Sequence, residues 1–312
     1  MPRTVVFGAS GFIGRHLIDA MNPAEVVPVT RARPGGDLRA RGDLAWAVAD
    51  LSRPDSLPRV LTPGCTVINA AYAPAASTSE NIAMAEALVA ACLQAQVGRL
   101  VHCSTAVVIG DRRETLITEE TPCSPVTPYE VTKHRIERVV LDAANNGLPV
   151  FVLRPTAVLG AGGQNLRKLL LEILRDDPIR NFARSSIYGR RAMNLVPVKD
   201  VVGALLFLSR QESAAQGIYI CAADDDSDNR YDHVEHIIRN ALGKSARLPA
   251  LPLPLGILNN LLRVTRAGSA RLANRTYSSA KLAGAGFRRK EPIAHAIEDF
   301  VRAETARLAL PA

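Results

Sequence analysis

Several features are scarce in this chain of 312 residues, and each scarcity argues against a class of protein. The five cysteines are scattered and never form a C-x-x-C pair, so we expect neither a disulfide framework nor a cysteine metal site. Aromatic residues make up only 4% of the chain, which offers no platform for stacking nucleic-acid bases despite a formal net charge of +8. The histidines show no metal-ligand spacing, and we interpret the acidic run at residues 224–226 as a solvated loop. We therefore expect no metal centre, no nucleic-acid partner, and a basic surface suited to phosphorylated small molecules.

Long apolar runs are missing as well. The longest, at residues 251–262, is interrupted by prolines, a glycine and asparagines, and it is too short to span a bilayer. The first strand-like run begins at Thr4, which leaves no room for a secretory signal peptide. We therefore expect a cytoplasmic protein with no membrane partner and a small-molecule substrate.

The first half of the chain alternates short apolar runs with stretches of helical period. Runs of strand length occupy residues 4–8, 26–30, 44–50, 66–70, 100–104 and 150–153. Helical periodicity covers residues 12–21, 81–96 and 129–145. Strands that are apolar on both faces and are followed by helices predict a parallel sheet with helices on both sides. The sequence therefore predicts an α/β fold with a Rossmann-type, doubly wound parallel sheet.

The pattern loosens after Leu159, where glycines interrupt the chain. A helix is predicted at residues 166–175, core-like segments return at 194–208 and 217–221, and the remainder is mostly helical. We predict a dinucleotide-binding domain built from residues 1–160 and 192–221. The predicted smaller, mostly helical substrate lobe comprises residues 161–191 and 222–312. The cleft between the two is the expected active site.

Three glycines separate an apolar strand from a helix in TVVFGASGFIG, residues 4–14. Backbone N–H groups at a helix N-terminus bind a pyrophosphate, and glycine lets the chain approach it without a Cβ clash. The spacing Gly8-x-x-Gly11-x-x-Gly14 differs from G-x-G-x-x-G, so by itself it leaves open a turn that binds nothing. The predicted cofactor contacts in this segment are Gly8, Ser10, Gly11, Phe12, Ile13 and Gly14.

The end of the second strand bears on the identity of the cofactor. An acidic residue there binds the ribose 2′-hydroxyl of NAD, whereas arginine accommodates the 2′-phosphate of NADP. This chain has Thr30 at the acidic position, followed by Arg31 and Arg33. We therefore favour NADP(H) over the alternative, NAD(H), while a purely solvated role stays open for Arg31. Asp50, followed by Leu51, is placed to meet the adenine, with a helix N-cap as its alternative role.

Tyr129 and Lys133 lie four residues apart in PYEVTKHRIE, so they share one face of a helix. A phenol with a pKa of about 10 is a poor base at neutral pH, but a nearby ammonium and a positive nicotinamide ring favour the phenolate. Ser104 and Thr105 add hydroxyls where a parallel strand ends, the ligand-binding edge of such sheets. A Tyr/Lys pair is common in helices, so its meaning depends on the accompanying motifs.

Taken in order, these motifs resemble those of the extended short-chain dehydrogenases/reductases, the NAD(P)-dependent epimerase/dehydratase family. The resemblance covers residues 4–221. Its matching segments are GASGFIG, Asp50-Leu51, VINAA (67–71), STAVVIG (104–110), Tyr129-x-x-x-Lys133, LRPTAVLG (153–160) and NLVPVKDVVGAL (194–205).

The resemblance implies specific roles for residues of this chain. It implies that Tyr129 is the general acid/base, that Lys133 lowers the pKa of that tyrosine and binds the nicotinamide ribose, and that Thr105 orients the substrate oxygen. Ser104 is then structural. Further cofactor contacts are implied at Ala70, Ala71 and Pro155. Substrate contacts are predicted at Tyr72, Asn81, Thr105, Ala157 and Arg191, with an N-cap as the alternative role of Asn81.

Departures from the family's patterns disfavour some of the reactions and substrates that the family uses. Ala106 and Val107 stand where family dehydratases carry acids, which disfavours dehydration. Ala157 stands where family nucleotide-sugar epimerases carry an asparagine that holds the substrate's pyrophosphate. Met193 stands where they often carry an arginine, although Arg190 and Arg191 are close enough to substitute.

The predicted function is an NAD(P)(H)-dependent oxidoreductase that transfers hydride at a ketone or secondary alcohol of a sugar-like or natural-product substrate. The alternative is a nucleotide-sugar epimerase that oxidises and re-reduces its substrate with bound NAD. A non-catalytic dinucleotide sensor is the third hypothesis. The resemblance also implies a homodimer formed through the helices that carry Asn81 and Tyr129.

Overall fold

A parallel sheet of seven strands organises the chain. The structure, a computed structural model, describes residues 3–32, 35, 42–175, 177–212, 214–244, 254, 256, 257, 259, 260 and 274–308. The strands are β1 (Thr4–Phe7), β2 (Val26–Thr30), β3 (Ala47–Val48), β4 (Thr66–Asn69), β5 (Arg99–Cys103), β6 (Leu116–Ile117), β7 (Val150–Pro155), β8 (Ala157–Leu159), β9 (Leu195–Pro197), β10 (Gly217–Cys221) and β11 (Thr276–Tyr277). The sheet order is β3-β2-β1-β4-β5-β7-β10, and every neighbouring pair is parallel.

Helices cover both faces of this sheet, as the sequence predicts. They are α1 (Phe12–Asp19), α2 (Thr78–Gln94), α3 (Pro128–Asp142), α4 (Arg167–Leu174), α5 (Pro178–Tyr188), α6 (Val198–Arg210), α7 (Tyr231–Ala241), α8 (Ala280–Gly284) and α9 (Ile293–Arg307). One apolar core joins α1 and α6 to one face, and a second joins α2 and α3 to the other. The predicted doubly wound α/β fold is confirmed.

The strand order reverses between β1 and β4. The chain moves outward from β1 to β3 on one side, then returns to add β4, β5, β7 and β10 on the other. At such a switch point the loops leaving the carboxyl ends of the strands diverge and leave a crevice for a ligand.

The third strand is much shorter than predicted. The sequence predicts a strand over residues 44–50, but only Ala47 and Val48 pair with β2, opposite Val29 and Thr30. This strand forms the edge of the sheet, where β2 provides the single neighbour that it can pair with. The apolar run at residues 44–50 is therefore longer than the strand that it contains.

A separate apolar core lies in the second half of the chain. It joins α4, α7 and α9 around Leu170, Val234, Ile238, Ile297 and Phe300. Two small parallel pairs, β8 with β9 and β6 with β11, lie outside the main sheet. The division into a dinucleotide domain and a substrate lobe stays a prediction.

The acidic run at residues 224–226 is only in part the solvated loop that the sequence predicts: the Asp225 side chain is 78% exposed, whereas Asp224 and Asp226 bind other segments. Asp224 accepts hydrogen bonds from Asn194 Nδ2 at 2.8 Å and from the Tyr277 backbone N–H at 2.7 Å. Burial raises the pKa of Asp224 to about 6, against these hydrogen bonds. Asp226 accepts from the N–H of Ile293 at the start of α9. These carboxylates hold distant segments together, which a local sequence pattern does not reveal. Across the described ranges, no group of three or more His, Cys, Asp or Glu is arranged to hold a metal ion.

Within the described residues, no helix combines the length and the apolar character that crossing a bilayer requires.

Candidate active site

The glycine turn joins β1 to α1 at the switch point of the sheet. Gly8 has a φ of +79°, and a Cβ there would lie 2.6 Å from the backbone of Ala70 and Ala71. A Cβ on Gly14 would lie 2.0 Å from the Gly8 carbonyl oxygen. The turn is therefore pressed between the end of β4 and the first turn of α1, at a distance that side chains would prevent.

A cleft of about 270 Å³ opens beside this turn. Its lining combines the glycine turn with the carboxyl ends of β2 and β4. Among the predicted cofactor residues it includes Gly8, Ser10, Gly11, Arg31, Asp50, Leu51, Ala70 and Ala71. The structure thus brings together, in one cleft, residues from four separate segments of the sequence.

Three other predicted cofactor residues lie beside the cleft rather than on its wall. Phe12 packs against the loop at residues 160–163, where a Cβ on Gly163 would lie 3.0 Å from its ring. Ile13 is half-buried against the core, and Gly14 is buried within α1. Their observed contacts stabilise the turn and its neighbouring loop.

The far end of the cleft carries Thr30, Arg31 and Asp50. Asp50 Oδ1 accepts hydrogen bonds from the backbone N–H and the hydroxyl of Ser52, at 2.9 and 2.8 Å. Burial opposes ionisation of Asp50, but these bonds and the positive charges of Arg31 and Arg53 lower its pKa overall. The predicted N-cap role is wrong, because Arg53 occupies the N-cap of the following 3₁₀ helix. Arg33 lies outside the described residues.

The loop between β4 and α2 forms one wall of the cleft. Asn69 Oδ1 accepts the Ala71 N–H at 3.0 Å. Asn81 is buried in α2, where its Oδ1 accepts the Ala73 N–H and its Nδ2 donates to the carbonyls of Ala73 and Ser77. The N-cap prediction for Asn81 is wrong, because α2 begins three residues earlier and Ser77 caps it. We therefore assign Asn81 to supporting this loop.

Helix α3 positions the predicted Tyr/Lys pair. Pro128 fixes its first turn, and Thr127 with Glu130 forms a capping box at its start. Tyr129 in that first turn is 45% exposed, whereas Lys133 one turn later is 4% exposed. The Lys133 ammonium donates to the Cys103 carbonyl at the end of β5, at 3.2 Å.

Tyr72 contacts both members of this pair. Its ring meets the Tyr129 ring edge-to-face, with centroids 5.3 Å apart and planes at 82°. The Lys133 Nζ lies 5.5 Å from the centroid of the Tyr72 ring. The sequence identifies Tyr72 only as a substrate contact.

The protein's own groups do not lower the pKa of Tyr129. Burial raises it to about 12, and Tyr72 and Cys103 add to the rise. Burial also lowers the pKa of the Lys133 ammonium, partly offset by Cys103 and Glu137. In the protein without a bound cofactor, Tyr129 is therefore a phenol at neutral pH. The lowering of its pKa that the resemblance implies for Lys133 stays a prediction.

The carboxyl end of β5 supplies Thr105 and Ser104. Thr105 begins a 3₁₀ helix over Ala106–Ile109, against which α3 packs, and its Oγ1 accepts a long bond of 3.4 Å from Val107 N–H. Ser104 is buried, with no hydrogen-bond partner for its Oγ among the described residues. The structure therefore places Thr105 on the same segment as the carbonyl that holds Lys133.

A buried ion pair beneath α3 was missed from the sequence. Glu137 lies one turn after Lys133 and accepts hydrogen bonds from Arg154 of β7 at 3.1 and 3.2 Å. Burial opposes the charge of Arg154, but the bonds and charge of Glu137 raise its pKa overall. The spacing 129/133/137 was the available signal, since residues four apart share a helix face.

The remaining predicted residues are dispersed. Pro155 is buried at the end of β7, opposite Cys221. Ala157 is half-buried in β8 against the second-half core. Arg191 lines a separate cavity of about 370 Å³, with its guanidinium 6.0 Å from the centroid of the Tyr188 ring. Neither Ala157 nor Arg191 lines the glycine-turn cleft.

The residues present fit a dinucleotide. Gly8 and Gly11 lie on the wall of the cleft without side chains, and the N-terminus of α1, whose backbone N–H groups could bind a pyrophosphate, begins directly after Gly11. Tyr129 and Lys133 lie on α3, outside the cleft wall, and both contact Tyr72, which lines the cleft. This arrangement suits hydride transfer with proton exchange at Tyr129.

Comparisons with known proteins agree with this geometry. The chain is 29% identical to 4-hydroxy-2-methyl-3-oxo-4-farnesyl-3,4-dihydroquinoline-1-oxide ketoreductase of Stigmatella aurantiaca over 196 residues, 57% of each chain. It is 29% identical to UDP-glucose 4-epimerase of Azospirillum brasilense over 174 residues, 51% of this chain and 50% of that protein. The aligned part thus spans about half the length of these curated relatives.

The fold matches solved structures across nearly the whole chain. UDP-glucuronic acid 4-epimerase of Bacillus cereus, solved in complex with NAD, superposes with a TM-score of 0.75 at 18% identity and covers 99% of this chain and 98% of its own. The sequence model of the NAD dependent epimerase/dehydratase family matches residues 4–222 of this chain. The chain therefore belongs to the NAD-dependent epimerase/dehydratase family.

Proposed function

We propose that this protein is an NADPH-dependent ketoreductase of the extended short-chain dehydrogenase/reductase type. The observation that carries the proposal is the cluster near the carboxyl end of β5, where Tyr129 and the buried Lys133 both contact Tyr72, a residue of the cleft wall. Tyr129 is held there as a phenol, which is the protonated form that reduction of a ketone requires. The similarity to a ketoreductase supports the same direction of reaction.

The residues of this chain would act as follows. When bound, NADPH supplies the hydride that the carbonyl carbon of the substrate accepts. Tyr129 donates its phenolic proton to the carbonyl oxygen, which leaves a secondary alcohol. Lys133 stabilises the phenolate that remains until a proton returns from solvent, and Thr105 hydrogen-bonds the same oxygen and orients the ketone.

A substrate screen with matched variants tests the ketoreductase. We expect the purified protein to oxidise NADPH when a ketone from a sugar-like or polyketide-like panel is present. Tyr129→Phe removes the proton donor and lowers kcat by about 10²- to 10⁴-fold, while binding of NADPH is retained. Wild-type turnover by Tyr129→Phe would contradict the proposal.

A nucleotide-sugar epimerase is the second candidate, and similarity to a UDP-glucose 4-epimerase favours it. An epimerase keeps its cofactor and shows no net oxidation or reduction. Cofactor that stays with the protein through desalting, together with interconversion of UDP-sugars and no net use of NADPH, would favour this function. Ala106 and Val107 stand where family dehydratases carry acids, so dehydration is disfavoured whichever of the two functions applies.

We further propose NADP(H) as the preferred cofactor. Arg31 lies on the cleft wall, Thr30 directs its hydroxyl to the Ala32 carbonyl at 2.7 Å, and the Asp50 carboxylate is bound by Ser52. A guanidinium at this position favours a 2′-phosphate.

Replacing Arg31 tests the cofactor preference. We expect Arg31→Ala to raise KM for NADPH about tenfold or more and to leave KM for NADH nearly unchanged, because one charge-assisted contact is lost. Arg53→Ala is the matched control, since Arg53 also lies within electrostatic range of Asp50 but is absent from the cleft wall. If Arg31→Ala and Arg53→Ala changed KM for NADPH and KM for NADH by the same factor, a contact between Arg31 and the 2′-phosphate would be contradicted.

The proposal also covers location and assembly. All five cysteines are free thiols, which supports a reducing, cytoplasmic compartment. We propose a homodimer through α2 and α3, and sedimentation velocity tests it. The proposed lobes are those predicted above, with the substrate meeting Tyr129 between them.

A further inference from the structure

We propose that Tyr72 is a positioning residue for the acid/base pair, and that its ring fixes both the Lys133 ammonium and the Tyr129 ring. This inference rests on the proposed function of the pair and goes beyond it, because the sequence identifies Tyr72 only as a substrate contact.

A single ring contacts both catalytic side chains. The Tyr72 and Tyr129 rings meet edge-to-face at 5.3 Å, the geometry that aromatic quadrupoles favour. The Lys133 Nζ lies 5.5 Å from the centre of the Tyr72 ring, within the range of a cation–π interaction. Displacement of this ring would therefore disturb the acid and its supporting cation together.

Lys133 needs such a partner because its surroundings disfavour a charge. The side chain is buried, and the Cys103 carbonyl is the hydrogen-bond acceptor that faces it. Its titratable neighbours are His102 and Cys103 on β5, Glu137 on α3, and Tyr72, which in turn contacts Tyr129. His102 is neutral, and Cys103 and Glu137 offset the effect of burial on the Lys133 pKa only in part, since Glu137 also binds Arg154. The negative face of the Tyr72 ring adds local compensation for the ammonium.

The backbone that carries Tyr72 is held on both sides. Before it, Asn69 Oδ1 binds the Ala71 N–H; after it, the Asn81 amide binds both backbone groups of Ala73. A ring on a fixed loop can position its neighbours, whereas a ring on a free loop would follow them. This support distinguishes positioning from a movable substrate contact.

Lysine-selective NMR provides a readout that does not need turnover. The chain has six lysines, all within the described residues, and Lys133 alone among them is buried. Its ε-methylene signal, from protein carrying ¹³C-labelled lysine, should therefore titrate separately and disappear in Lys133→Met. We expect Tyr72→Leu to lower the pKa of Lys133 by about 0.5 to 1 unit, since a lost cation–π contact weakens the charged form.

Activity supplies the second readout. In Tyr72→Leu the alkaline limb of the kcat–pH profile should move to lower pH with the Lys133 pKa, while KM for the ketone changes little. Tyr72→Phe keeps the ring and should restore both the lysine pKa and the alkaline limb. Tyr72→Met serves as a second ringless variant if Tyr72→Leu does not fold, as judged by circular dichroism.

Two results would overturn the proposal. One is a Lys133 pKa and an alkaline limb that stay at their wild-type positions in the ringless variants. The other is a Tyr72→Phe variant as impaired as Tyr72→Leu with a raised KM, which would make the hydroxyl a substrate contact. Failure of the proposed function is seen separately, as full activity in Tyr129→Phe, and it leaves the NMR titration interpretable.

Discussion

His102 shows how much one buried side chain can matter for stability. It is fully buried on β5, and its Nδ1 lies 3.2 Å from Asn69 Nδ2. Burial, together with the charge of Lys133, lowers its pKa well below the usual value. The sequence alone could not identify Lys133 as a neighbour of His102, because β5 and α3 meet only in the folded chain.

The pH dependence of stability tests this arrangement. Below about pH 6.5 the unfolded chain binds a proton at His102 that the folded chain does not, so the free energy of unfolding falls as pH decreases. We expect His102→Gln to remove up to about 1.4 kcal/mol per pH unit of that slope. Urea unfolding of the wild type and of His102→Gln at pH 7.5, 6 and 5 measures the slope of the free energy of unfolding with pH. Parallel stability curves over this range would show that His102 titrates normally in the folded state.

At the scale of elements, the junction of β1 and α1 is the most constrained. A Cβ on Gly14 would lie 2.0 Å from the Gly8 carbonyl, and backbone cannot yield as a flexible side chain can. Alanine favours a helix over glycine by about 1 kcal/mol, so a stabilising change would be expected if space allowed. Steric conflict should dominate here.

We therefore expect Gly14→Ala to weaken dinucleotide binding more than tenfold and to lower the thermal midpoint, because the glycine turn must move. Gly284→Ala is the matched control: it lies in α8, gains the same helix propensity, and has no neighbour within 4 Å of its added Cβ. Calorimetric titration with NADPH and thermal unfolding provide the two measurements. If Gly14→Ala and Gly284→Ala had the same affinity for NADPH and the same thermal midpoint, the turn would not need a residue without a side chain at position 14.

Helix boundaries show the limits of a local pattern. Helical periodicity predicts the start of the third helix to within one residue, and the structure shows Pro128 at its first position with a Thr127/Glu130 capping box, both of which are local signals. The same periodicity places the start of the second helix three residues late, since its first turn, after the Ser77 cap, carries polar residues instead of an apolar stripe. Capping boxes thus mark helix starts that apolar periodicity misses.

At the scale of the whole molecule, distant segments close around the end of β5. Arg275 is fully buried and donates to the carbonyls of Gly110 and Arg112, more than 160 residues away in sequence. Asn194 donates to Asp224 and to the Arg275 carbonyl. These bonds join the loop after the 3₁₀ helix Ala106–Ile109 to the second half of the chain. No sequence motif predicts these hydrogen bonds.

The sequence by itself determined the fold class, the glycine turn, and the Tyr129/Lys133 pair, because strand periodicity, glycine spacing and helical spacing are all properties of neighbours along the chain. Only the tertiary structure decided that Tyr72 contacts both Tyr129 and Lys133, that Glu137 pairs with Arg154, and that Asp224 and Asp226 bind distant segments. Those contacts join elements separated by loops and crossovers. Their distances and their burial, and therefore their pKa values, exist only once the elements are packed together.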